Sequence, residues 1–367
     1  MKRKFVLVLV TLMAVIMPLA AKIDLKARPG ERRFIAHRGV DLKHTIAGEN
    51  SIEAIGLAKR AGFQCIETDV RVTADDSLVV MHDATLNRTC TDREGNELKK
   101  EVAVCHVPWT SLRNDYRLKA DDPSRRSQIP SLREYLTACR DAGILTFIEP
   151  KLDDETGNHY RRIMAVADEI LGRGNYIITS NNIANNIIRN TMLVKDVPLM
   201  GILYQTTFDK IEGLGNCIMA VSTSRFDDKA YDENIELSKS RGLACESHAD
   251  NYPRFAMINR HELDYVSTDF LAPDYHGQGK LINTKNIKKI DKEFTPKLKH
   301  SDFGGLYVTM EIDGDAEVTM GGKTFKVAPT DRFIHQVVTY NQTPVFSVKP
   351  LSPTTVIKNL TLKQVEY

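Results

Sequence analysis

The sequence predicts an α/β chain, a (β/α)8 TIM barrel followed by a small C-terminal β-rich module, and two observations carry that prediction. Short apolar runs alternate with amphipathic segments between Phe34 and Ser267, the order that repeated βαβ units around a parallel sheet impose. Beyond residue 300 the apolar spacing changes to every second position, as at Leu306, Val308, Met310 and Ile312, which is the signature of half-buried strands.

Eight runs read as strands: Phe34–Ala36, Cys65–Val70, Ile144–Ile148, Tyr176–Thr179, Leu199–Leu203, Ile218–Val221, Leu243–Cys245 and Tyr265–Ser267. Between them lie helical patterns such as Ser51–Ala58, with apolar residues three and four apart and Asn50 placed to cap the start. Gly62, Gly143 and Gly242 each sit between a helical pattern and the next strand, where helix ends favour a left-handed residue. An open doubly wound sheet is the competing arrangement. It requires a Gly-rich turn after its first strand, and His37-Arg38-Gly39 is not one. Leu78–Met81 reads as an extra short strand. Arg113–Gln128 reads as a solvated loop inserted on the side where substrate enters, with Trp109 nearby as a packing residue.

The first residues, Met1-Lys2-Arg3-Lys4, are basic and precede an apolar run from Phe5 to Ala20 that ends in small residues. Residues 1–21 therefore read as a signal peptide cleaved near Ala20-Ala21, the alternative being an uncleaved anchor helix. The expectation is a periplasmic or secreted protein with no stable membrane insertion after cleavage. The barrel domain is expected over 22–282. A Lys-rich linker over 283–300 follows, holding Lys285, Lys288, Lys289, Lys292, Lys297 and Lys299, and the β module occupies 301–367 with a hairpin turning at Gly321-Gly322. The leader contains three basic and no acidic residues, so with 50 Lys+Arg against 48 Asp+Glu in the whole chain the remainder is close to neutral. That balance argues against nucleic acid as a partner. Six cysteines are present. Cys90 and Cys105 would close a disulfide loop of plausible size, whereas Cys65, Cys139, Cys217 and Cys245 fall within strands or helices, where a buried thiol is the commoner state. None has C-x-x-C metal spacing.

Chemistry gathers at strand ends. Glu67 and Asp69 are two apart on one strand, so they project to the same side, and paired carboxylates make a hard oxygen site suited to Mg²⁺ or Ca²⁺ rather than Zn²⁺. Taken alone they read as two solvated or salt-bridged groups. The same spacing recurs at Glu149 and Lys151 on the next strand, adding an anion and a cation at the same mouth. His37 and His82 end apolar runs; singly each reads as a structural histidine, together they fit a general acid and a general base. Arg38 is suited to holding a phosphate or carboxylate. A divalent ion, two cations and two histidines are the kit for in-line displacement at phosphorus, whereas glycoside hydrolysis needs a carboxyl pair and no basic clamp.

These residues occur within His37-Arg38-Gly39, Glu49-Asn50-Ser51, Glu67-x-Asp69-Val70, Leu78–Asp83 with Leu86-Asn87-Arg88-Thr89, Ile129-Pro130-Ser131-Leu132 and Glu149-x-Lys151. In that order the motifs resemble the glycerophosphodiester phosphodiesterases, over about residues 33–275 and most strongly over 34–151. The resemblance implies hydrolysis of a glycerophosphodiester, a small-molecule substrate, to glycerol 3-phosphate and an alcohol. It implies His37 and His82 as the acid–base pair, Arg38 and Lys151 on the phosphate, Glu67, Asp69 and Glu149 on a divalent ion, and Glu49 and Asn50 in support. Departures gather in the second half. Ser180-Asn181 stands where the family usually has Ser-Phe, and Cys245-Glu246-Ser247-His248 where it commonly has an aromatic and an Asn; Thr268-Asp269 matches. Glu246 or His248 is thereby expected either to contact the substrate's head group or to lie in an exposed loop. Two rival readings are a phospholipid-cleaving lyase that forms a cyclic phosphate on the same barrel, and a non-catalytic glycan- or lipid-binding protein.

Overall fold

The structure, a computed structural model, describes residues 23–40, 46–152, 154, 156–180, 196–212, 214 and 216–367; the expected signal peptide and Asn181 lie outside them. All eight expected strands form, as Arg33–Ala36, Cys65–Val72, Leu145–Pro150, Tyr176–Ser180, Leu199–Ile202, Cys217–Ala220, Ala244–His248 and Tyr265–Thr268. Each pairs in parallel with the next, and the first closes on both the second and the eighth, so the sheet is a barrel with its C-terminal strand ends on one rim. Leu78–Val80 adds to the second strand in antiparallel register.

Local signals account for most helix ends. Leu132–Ala142 starts at a reciprocal Ser131–Glu134 capping box and stops at Gly143, whose φ is 59°, as a left-handed C-cap requires. One cap differs from expectation. The N-cap of Ile52–Arg60 is Ser51, whose hydroxyl accepts from Ala54 N, while Asn50 has φ 61° and turns inward. The insertion after the second strand is also more ordered than a loop. It contains the helix Trp109–Asp115 and the paired strands Cys90–Asp92 and Tyr116–Leu118, because Leu86, Cys90, Val104, Leu112, Leu118 and Ile129 give it an apolar core of its own. Trp109 packs against that core under Arg113. All six cysteines are free thiols, with only Cys105 exposed.

The Lys-rich segment is in its first part a strand, and 291–300 connect that strand to the next. Lys280–Ile290 is an edge strand, paired antiparallel with Val356–Glu366, followed in the sheet by Ser301–Asp313 and Thr330–Gln342. Its lysines point to solvent, and charged residues on an edge strand discourage further pairing; a composition shift alone could not separate an edge strand from a tether. A smaller sheet of Ala316–Met320, Lys323–Val327 and Phe346–Pro350 carries the expected hairpin. The two sheets share one apolar cluster with the barrel. At the junction Tyr252 stacks on Phe325 with ring centroids 4.3 Å apart, Val338 N donates to Phe270 O, and Gln336 Nε2 donates to Ala272 O and Asp274 Oδ1. Tyr307 and Phe333 are core residues; Tyr340 is half-buried beneath Arg125. No helix among the described residues is long and apolar enough to cross a membrane.

Candidate active site

The C-terminal rim opens into a cleft of about 350 Å³ lined by His37, Arg38, Glu67, His82, Glu149, Lys151, Glu246 and His248, among others. Asp69 and Glu149 stand opposite each other in strand register, which converts two sequence motifs into one cluster. Glu67, Asp69 and Glu149 each present a carboxylate oxygen within 4.8 Å of the other two. Glu67 and Asp69 are only 4% and 1% exposed. Among the described residues, Glu67 Oε1 and Asp69 Oδ1 have no hydrogen-bond partner. Burial, then the neighbouring Asp69 charge, push the Glu67 carboxyl well above its ordinary value. Buried, mutually repelling carboxylates with unsatisfied oxygens fit a hard divalent cation such as Ca²⁺ or Mg²⁺.

The protein's own cations neutralise this cluster in part. Lys151 Nζ lies 2.7 Å from Glu149 Oε1 and 3.6 Å from Asp69 Oδ1, and Arg38 Nε lies 3.5 Å from Asp69 Oδ2. Both reach the cleft. Asn50 Nδ2 donates to Asp69 Oδ2 at 2.9 Å and Asn50 Oδ1 accepts from Thr68 Oγ1, so Asn50 holds a carboxylate rather than capping a helix. Glu49 accepts both Nη1 and Nη2 of Arg88 at 2.8 Å, and Arg88 also grips Asp83. Asp83 in turn meets His82 Nδ1 at 2.7 Å. The supporting role of Glu49 therefore runs through Arg88 to His82, a connection not visible in the sequence because the partners come from three separate segments.

His37 and His82 occupy different environments. His37 Nδ1 lies 2.6 Å from Asp269 Oδ1, and its Nε2 lies 3.9 Å from Glu67 Oε2. Burial opposes charge on His37, but Asp269 and Glu67 outweigh it and raise its pKa to about 9. His82 is shifted the other way: burial lowers it, with Asp69 and Asp83 only partly compensating. One ring is thus held protonated and the other neutral near pH 7. Arg38 between them has φ 56°, a conformation that costs a non-glycine residue on the order of 1–3 kcal/mol and persists where surroundings enforce it. The enforcing contacts are its N–H, donating to Glu67 Oε2, and Gly39, where an added Cβ would come within 2.5 Å of Ala54 Cβ.

Opposite, Glu246 and His248 belong to the seventh strand and not to an exposed loop. Glu246 is 4% exposed and accepts from both the hydroxyl and the N–H of Ser267; burial raises it to about 7. It lines the cleft with a carboxyl oxygen engaged by Ser267. His248 Nδ1 lies 3.1 Å from Ser267 Oγ, and its ring meets that of His37 edge-on at 5.1 Å. Burial, then the charge on His37, lower its pKa to about 4. The sequence assigned no role to Asp269 or Ser267; Asp269 was marked by the Thr268-Asp269 match, and Ser267 only by its place at the end of the last barrel strand.

Fold and site together define a (β/α)8 barrel protein with a carboxylate cluster, flanked by cations and two histidines, on its C-terminal rim. The model of the glycerophosphoryl diester phosphodiesterase family matches residues 37–272, and the chain belongs to that family. Glycerophosphodiester phosphodiesterase 1 of Bos taurus is 34% identical over 122 residues, which is 32% of this chain and 33% of that protein. The match thus spans about a third of that curated relative's length. A glycerophosphodiester phosphodiesterase from Agrobacterium tumefaciens has the same fold, with a TM-score of 0.52 at 20% identity over 65% of this chain and 96% of its own. So has an Oleispira antarctica phosphodiesterase solved in complex with its product sn-glycerol-3-phosphate, with a TM-score of 0.52 at 19% identity over 65% of this chain and 93% of its own.

Proposed function

We propose that this protein is a metal-dependent phosphodiesterase that hydrolyses glycerophosphodiesters to glycerol 3-phosphate and an alcohol. The observation that carries the reading is the opposed pair of histidines across a buried, cation-seeking carboxylate cluster. Glu67, Asp69 and Glu149 would hold the divalent ion, Ca²⁺ or Mg²⁺. When bound, the ion supplies charge stabilisation at the phosphoryl group. Arg38 and Lys151 bind the non-bridging phosphate oxygens, and their existing contacts with Asp69 and Glu149 keep them in place before substrate arrives. His82, neutral and oriented by Asp83, takes the proton of the attacking water. His37, protonated and oriented by Asp269, donates to the departing alcohol oxygen. The Oleispira relative's product complex supports this substrate class. Export to the periplasm or medium is part of the proposal and rests on the leader sequence.

The test is a panel of glycerophosphodiesters and intact phospholipids, assayed with and without EDTA in water labelled with heavy oxygen. The expected result is label in the glycerol 3-phosphate, with turnover lost on chelation and restored by Mg²⁺ or Ca²⁺. An unlabelled cyclic phosphate would assign the lyase reaction instead.

A further inference from the structure

We infer that His37, His248 and Asp269 form a second cation site, distinct in chemistry from the carboxylate cluster, that takes a transition metal such as Zn²⁺. Each residue presents a ligand atom within 4.8 Å of the other two. All three side chains are partly open to solvent, so an ion can reach them. Two imidazoles and one carboxylate suit Zn²⁺, whereas the three carboxylates of Glu67, Asp69 and Glu149 suit Ca²⁺ or Mg²⁺. Three protein ligands also leave a coordination position open.

The environment of His248 supplies an independent reason. Histidines that bind metals are held by a partner on the other ring nitrogen, which sets tautomer and orientation. His248 has such a partner in Ser267 Oγ, and Ser267 is itself held by the buried Glu246 carboxylate. With the Ser267 hydroxyl donating to Glu246, it accepts from His248 Nδ1–H, leaving the Nε2 lone pair available. The plainer reading makes His248 a packing ring beside the His37–Asp269 pair. A packing ring has no use for a buried carboxylate aligned through a serine, and burying that carboxylate is costly unless it is fully used.

The consequence for activity rests on the reading of His37 as a general acid. A metal on either nitrogen of His37 takes the place of a proton, so the ring is no longer the imidazolium that the acid role needs and Zn²⁺ inhibits hydrolysis supported by Mg²⁺. The experiment titrates Co²⁺ into the full-length protein saturated with Mg²⁺ and follows visible absorption, which reports nitrogen-ligated, low-coordinate Co²⁺. The wild type is expected to develop the band at one equivalent. H248Q is expected to lose it while unfolding in denaturant at the wild-type midpoint, which reports that the variant folds. S267A, which keeps every ligand, is expected to weaken Co²⁺ binding by roughly 10–100-fold. A band unchanged in H248Q, or no Co²⁺ bound in the presence of Mg²⁺, overturns the site. A band lost in H248Q together with Zn²⁺ that fails to inhibit the wild type upholds the site and overturns the acid role of His37.

Discussion

The two sides of the rim are built differently. The first three strands crowd Arg38, Glu67, Asp69, Glu149 and Lys151 into one buried, charge-dense wall. The sixth to eighth strands and their following turns offer Ser222, Thr223, Ser224 and Ser267 hydroxyls, the neutral ring of His248 and a single buried carboxylate, Glu246. The charged wall can organise a cation and a phosphate but is nearly indifferent to what the phosphate is esterified to. Apart from Asp269, which is committed to His37, this more neutral wall brings, among the described residues, no charged group to the cleft that could organise a phosphate, and under the proposed function discrimination between alcohols would fall to it. His37 joins the two, leaning on Glu67 from one side and on Asp269 from the other.

Breaking the charged wall has the largest expected effect. Asp69→Asn removes an anion that Arg38, Lys151 and Asn50 all contact, and hydrolysis at ordinary Mg²⁺ is expected to vanish, with metal content falling in parallel when measured by elemental analysis. Asp269→Asn comes next. It removes the strongest support for charge on His37, so the alkaline limb of the kcat/KM–pH profile moves down from near 9 towards or below 6.5. In the wild type that limb falls at or below about 9, because a cation bound beside Glu67 offsets part of the carboxylate's pull on His37. The acid limb reflects His82 losing its proton and lies below 6.5, so activity rises through it as pH increases. The smallest effect sharpens the contrast. Gln336→Ala strips two contacts on the segment after the eighth strand and is expected to cost about 1–3 kcal/mol in denaturant unfolding, with the charged wall and Mg²⁺ binding unchanged.

Much of this was legible in the sequence, and the reasons are physical. Barrel strands are short apolar runs at regular spacing, and a side-chain period of two places Glu67 with Asp69 and Glu149 with Lys151 wherever the strands fall. The charged wall is therefore written within short stretches of chain. The partners that the sequence did not reveal depend on pairing between distant segments: Asp269 meets His37 across 232 positions, and Glu49 reaches His82 only through Arg88 and Asp83. Asn50 misled because Asn serves equally as a helix cap and as a left-handed residue. Lys285, Lys288 and Lys289 misled because composition does not distinguish a solvated tether from a solvated edge strand.

The central claim is that two histidines do the proton work beside a cation held by the carboxylates. It is tested most directly by measuring bound metal and glycerophosphocholine turnover together in His37→Ala and in His82→Ala. Both variants are expected to retain the divalent ion and to lose turnover by a factor on the order of 10²–10⁴. Hydrolysis at the wild-type rate in either metal-loaded variant would contradict the account.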